Sequence, residues 1–95
     1  MTATIRLMQA TLPALMVLLS RLPDDLPAPE MVVEDDGAIS LDWYGEPANK
    51  RCVSVHVSPS QGMGYSWLID EDLQHGAQHV SANLDHIVAA IRQLR

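Results

Sequence analysis

Four short runs that alternate apolar and polar residues, separated by turn signals, constrain this chain more than any other feature. They are Met31–Glu34, Ala38–Trp43, Arg51–Ser58 and Met63–Ile69. Side chains alternate across a strand, so each run reads as a strand with one face buried. Val53, Val55 and Val57 share a face of the third run, and Met63, Tyr65, Trp67 and Ile69 share a face of the fourth. The connections "YGEPANK" and "PSQG" are too short for a crossover, so consecutive strands pair antiparallel.

The bend inside "EDDGAISLDW" sets the register of the first pair. A calcium loop spaces its oxygen ligands at alternate positions and closes with a glutamate. Here Glu34, Asp35 and Asp36 are consecutive and apolar residues follow at once, so the stretch reads as a hairpin. A two-residue turn at Asp36-Gly37 would put Glu34 on the side of Ile39 and Leu41. A three-residue loop, Asp35-Asp36-Gly37, aligns Met31 and Val33 with Ile39, Leu41 and Trp43 and keeps every acid off the core. It also places Gly37 at the left-handed position of a type I turn with a bulge. We expect the three-residue loop, because a one-residue slip would turn the whole apolar set outward.

Helices are expected at both ends. Over 4–21, Ile5, Met8, Leu12, Leu15, Met16, Leu19 and Leu22 recur at helical spacing. Pro13 either kinks this helix or marks a true start near Thr11. Leu7, Val17 and Leu18 widen the apolar arc, which implies cover from a second helix or a partner subunit. The segment "LPDDLPAPE" then reads as a stiff, extended linker. Residues 70–80 suggest a helical turn broken at Gly76. Ser81 or Asn83 caps a last helix running to about Leu94, with Leu84, Ile87, Val88, Ile91 and Leu94 as its stripe. Asp85 in its first turn, and Arg92 and Arg95 at its end, suit the helix dipole.

With 95 residues the chain is one domain with a modest core. A net charge of −6 argues against binding nucleic acid through phosphates or an anionic membrane surface. It permits a basic partner. Cys52 is the single cysteine, which rules out an intramolecular disulfide and suits a reducing cytoplasm. The apolar run "LMQATLPALMVLL" is too short to span a bilayer, and no small-x-small cleavage site follows it.

The segment "LPDDLPAPEMVVEDDGAISLDWYG" resembles the core signature of a family of small, mostly uncharacterised bacterial and prophage-borne proteins. The pattern falls on Leu22-Pro23, Pro27-Ala28-Pro29, Asp36-Gly37, and Ile39, Leu41 and Trp43. It is close over 22–43 and loose to 69. Longer members carry a Trp-Asp-Gly segment upstream that this chain lacks, and residues after Ile69 depart from the pattern. The resemblance implies a fold and a mobile-genome setting. It implies no catalytic residues.

Candidate chemistry is sparse. His75 and His79 are spaced for one helix face, and His86, Asp70 or Asp72 would complete a metal site. The bland reading, solvated histidines, is the stronger. Cys52, Ser54 and His56 share the outer face of the third strand, but Cys52 and His56 stand roughly 13 Å apart on a strand, too far for a dyad. The acid pairs Asp24-Asp25, Glu34-Asp36 and Asp70-Asp72 read as solvated, with mimicry of a phosphate backbone as the sharper alternative.

The expected fold is α+β: a four-stranded antiparallel sheet with the N-terminal and C-terminal helices on one face, in the order α-β-β-β-β-α. The expected core is Leu12, Leu15, Leu19, Val33, Ile39, Leu41, Trp43, Val53, Val55, Val57, Tyr65, Trp67, Ile69, Leu84, Ile87, Val88 and Ile91. The expected function is a non-enzymatic, cytoplasmic inhibitor from a phage or mobile element. It would bind a bacterial defence complex stoichiometrically, as anti-CRISPR proteins do. The partner would be basic and nucleic-acid-handling, and its contacts would be Glu34, Asp35, Asp36, Tyr44, Glu46, Asp70, Glu71 and Asp72. No cofactor or metal is expected. The alternatives are an antitoxin-like or regulatory partner of a neighbouring gene product and, third, a small metal-dependent enzyme. An exposed apolar side of the first helix would favour a homodimer.

Overall fold

A computed structural model describes residues 2–94; the side chains of residues 2–5, 7 and 8 lie outside this description, as does Arg95. The expected helix positions Ile5, Leu7 and Met8 therefore fall outside the described side chains. The fold is α+β, but the sheet has five strands rather than four. Helix α1 (Thr2–Arg21) is followed by β1 (Glu30–Val33), β2 (Ile39–Tyr44), β3 (Arg51–Val57), β4 (Gly62–Ile69), β5 (Asp72–His79) and helix α2 (Asp85–Arg92). The strands lie in the order β1-β2-β3-β4-β5, an antiparallel meander with β1 and β5 at its edges.

The first hairpin takes the expected register. Val33 pairs with Ile39 and Met31 with Leu41. Glu34 receives the chain back through its N–H to the Ala38 carbonyl at 2.8 Å, and Gly37 returns its N–H to the Glu34 carbonyl at 3.0 Å. Gly37 has φ 85°, the left-handed conformation in which glycine is favoured. The Asp36 carboxylate accepts the Ala38 N–H at 3.0 Å, so this acid shapes the turn it sits in.

Both helices cover the same face. Helix α1 lies against β2 and β3, and α2 against β3 and β4. Ile39, Leu41, Val53, Val55 and Val57 meet Ala14, Leu15, Leu18, Ile87, Ala90 and Ile91 in one buried cluster. Leu84, Trp43 and Ile69 are buried there as expected, while Tyr65, Trp67 and Val88 are only partly covered. Leu12, Leu19 and Val33 are exposed, which corrects their assignment to the core. The helix is turned so that Thr11, Ala14, Leu15 and Leu18 face the sheet instead. Two long-range contacts set that rotation. The buried Thr11 hydroxyl donates to the Gly37 carbonyl at 2.6 Å. Arg21 donates to the Val80 and Ala82 carbonyls at 2.6 and 2.8 Å. The helix runs through Pro13, so a start near Thr11 is excluded. Pro13 sits on the exposed side, where a carbonyl deprived of its donor can turn to water.

Residues 70–80 form a tight hairpin and strand β5, not a helical turn. Asp70 takes φ 59° at the bend. No helix packs broadly on β5, so neither of its faces has to be apolar, and "DLQHGAQH" shows no alternation for this reason. Gly76 lies opposite Tyr65, whose ring occupies the space a Cβ would need. Gly76→Ala should therefore destabilise the domain by about 1–3 kcal/mol in urea unfolding, through displacement of the ring. The penalty should shrink to a few tenths of that in a Tyr65→Ala background. Equal penalties in both backgrounds would show that the ring is not what excludes a side chain there.

The N-cap of α2 is Leu84, with no side-chain cap bond, which corrects the expectation of Ser81 or Asn83. Asn83, one residue earlier, accepts the Asp85 N–H at 2.7 Å, whereas Ser81 bonds the His79 ring. At the other end, Arg51 on β3 donates to the Gln93 carbonyl and pairs with Asp70 at 3.0 Å. A guanidinium there also suits the negative end of the helix dipole.

Candidate functional site

The helices leave the opposite face of the sheet open. Cross-strand pairing carries one row across all five strands: Glu30, Asp42, Ser54, Ser66 and His75. The adjacent row is Val32, Ser40, His56, Gly64 and Ala77. Small side chains at Ser54, Gly64 and Ser66 leave a hollow of about 440 Å³, walled by Glu34, Asp42 and His56. A third row, Tyr44, Cys52, Leu68 and Leu73, is more apolar and lies at one end of the face.

Hydrogen bonds hold the acids in place. Ser54 donates to Asp42 at 2.6 Å. Ser40 donates to Glu34 at 3.1 Å and also lies 3.1 Å from His56 Nδ1. A hydroxyl has one proton, so with Ser40 donating to the carboxylate, His56 Nδ1 carries the hydrogen on its side. The relay runs from imidazole to hydroxyl to carboxylate. An activated nucleophile needs the imidazole between hydroxyl and acid, with the hydroxyl giving its proton to nitrogen. The order here is the reverse. Asp42 also acts on Tyr44: its negative charge, then partial desolvation, then the charges of Glu30 and Cys52 raise the phenol above its ordinary value.

The residues expected to bind a partner fall into two groups at opposite ends of the sheet. Glu34, Asp35 and Asp36 lie at the β1–β2 turn. Tyr44, Glu46, Asp70, Glu71 and Asp72 lie at the other end, roughly 17–20 Å away along β2. Asp70 is already paired with Arg51, and Asp25 with Arg92 at 3.2 Å. The open face joins Glu34 and Tyr44 through Glu30 and Asp42, which sequence reasoning did not single out. Asp42 was visible as an outward position of an alternating strand. Glu30 becomes its neighbour only once the hairpin register is known.

Cys52, Ser54 and His56 share this face as expected. His75 and His79 lie on a strand rather than a helix, roughly 13 Å apart, which removes the geometry the metal reading required. Among the described residues no group of three or more His, Cys, Asp and Glu side chains is placed to hold a metal ion. Nor is any described helix long and apolar enough to cross a membrane. Comparison of the chain with protein-family models, with curated proteins and with solved structures finds no match.

Proposed function

We propose that this protein is a non-enzymatic binder of a basic protein partner, acting stoichiometrically through the open face of its sheet. One observation carries the reading. The strand positions of that face hold Glu30 and Asp42, with Glu34 beside them, and no lysine or arginine. Arg21, Arg51 and Arg92 are engaged with carbonyls or carboxylates on the side of the helices. Among the described residues no strand position of the open face therefore carries a basic side chain to offset these acids, which favours steering toward a positive surface. A nucleic-acid channel in a bacterial defence complex is such a surface. The proposal takes the protein as a phage or mobile-element inhibitor of the anti-CRISPR kind, in keeping with the resemblance over residues 22–43.

A second reading, an antitoxin-like or regulatory partner, draws support from a different surface. Leu12, Met16 and Leu19 on α1 and Met31 and Val33 on β1 are exposed apolar side chains. The two readings separate by salt. Tagged protein would be used to capture partners from host lysate at low and high salt, with mass spectrometry of the eluate. A basic nucleic-acid-handling complex, lost at high salt, is the expected result. A small partner retained at high salt would favour the second reading. Capture of nothing at either salt overturns both.

A further inference from the structure

We infer that strand β5 is a self-pairing edge, through which two copies join their sheets into one continuous antiparallel sheet. The open edge follows from the hairpin. Ile69 and Asp72 flank a two-residue turn and form a hydrogen-bonded pair. The ladder continues to the Val80 N–H, which donates to the Gln61 carbonyl at 3.0 Å. Backbone groups of the even residues 72–80 thus point at β4, and those of Leu73, His75, Ala77 and His79 point away from it. Of these, the His79 carbonyl already accepts the Ala82 N–H at 3.0 Å. Natural edges of this length are usually blunted by lysine, proline, a bulge or a covering segment. Strand β5 spans eight residues, its register with β4 has no bulge, and Leu73–Val80 holds no proline and no Lys, Arg, Asp or Glu.

The pattern selects a second copy of the chain as occupant. Twofold pairing about Gly76 sets His75 against Ala77 of the second copy, Gln74 against Gln78, and Leu73 against His79. His75 and Ala77 then exchange both backbone hydrogen bonds, and each Leu73 carbonyl receives a His79 N–H. No Asp, Glu, Lys or Arg opposes its like, although each copy carries a net charge of −6. Leu73, 65% exposed in the single chain, gains cover. The other edge fails the same test. Its outward groups are those of Met31 and Val33, Pro29 offers no N–H, and twofold pairing about Val32 sets Glu30 against Glu34. The inference does not depend on the proposed partner, since pairing at β5 leaves both open faces free, on one side of the joined sheet.

An edge of this length is a small interface, so the dimer should dissociate in the micromolar range, about 1–100 µM. Sedimentation equilibrium across that range tests it on the wild type, Ala77→Pro and Leu73→Lys. Proline at 77 removes an outward N–H without touching the ladder to β4, and lysine at 73 sits on an exposed position. Each variant should weaken the dimer about tenfold or more while keeping the wild-type far-UV circular dichroism. If Ala77→Pro fails to fold, Leu73→Lys decides alone. A wild type that stays monomeric throughout, or a dimer indifferent to the substitutions in folded variants, overturns the inference. In the second case, loss of the dimer on Met16→Lys would assign it to the exposed side of α1.

Discussion

Trp43→Ala should lower the stability of this domain by about 3–5 kcal/mol, the cost expected when a buried tryptophan is truncated. A chain of this length has about 5–14 kcal/mol in total, so the variant should lose about a fifth of it or more. Trp43 is the large ring at the centre of the sheet's buried end, 3% exposed and paired with Val53 across to β3. It also anchors the linker. Its indole N–H donates to the Pro27 carbonyl at 2.8 Å, and Leu22, Leu26 and Pro29 gather in the hollow beside it. Alanine would leave a cavity and release that segment together. Trp43→Phe separates the two effects, since it keeps most of the ring and removes the donor; its loss should be about 1–2 kcal/mol. Thermal and urea unfolding would measure both, and the alanine variant should melt more than about 10 °C below wild type. A loss under about 1 kcal/mol for alanine would mean that the linker does not depend on the ring.

The burial of Trp43 was legible in the sequence, whereas its bond to the linker was not. The alternation that buries Ile39, Leu41 and Trp43 predicts one face of β2, and keeping the acids off that face was enough to choose the hairpin register. Register does not say which strands a helix covers. Met31 and Val33 point to the helix side, yet remain exposed because α1 lies over β2 and β3. The orientation of α1 was hidden for a related reason. Its apolar arc is wide enough to accept several rotations, and the choice is made by Thr11 and Arg21 bonding to backbone far along the chain. Strand β5 left no period because no helix packs broadly on it, and its glycine, which looked like a helix breaker, is where Tyr65 needs room. Acid runs at turns stand out by eye, whereas the acids of the open face are dispersed and meet only through pairing across β1 and β2.

The same dispersion supplies the sharpest test of the proposed function. The triple variant Glu30→Gln, Glu34→Gln, Asp42→Asn removes three negative charges from the open face and preserves shape. The amide oxygen introduced at position 42 can still accept from Ser54, and the one at position 34 from Ser40, so stability should change by no more than about 0.5 kcal/mol. Association with a captured basic partner should slow by about tenfold to a hundredfold at low salt, and its salt dependence should flatten, because steering by the face is what salt screens. The control is Asp70→Asn with Glu71→Gln at the opposite end, where Arg51 already offsets Asp70. That pair should change the rate less than about threefold by the same reasoning. Stopped-flow or surface-capture kinetics across a salt series would measure all three proteins. If the control slows association as much as the triple variant, the acids act only through total charge. The open face would then lose its claim to be the docking surface, even though the partner itself stood.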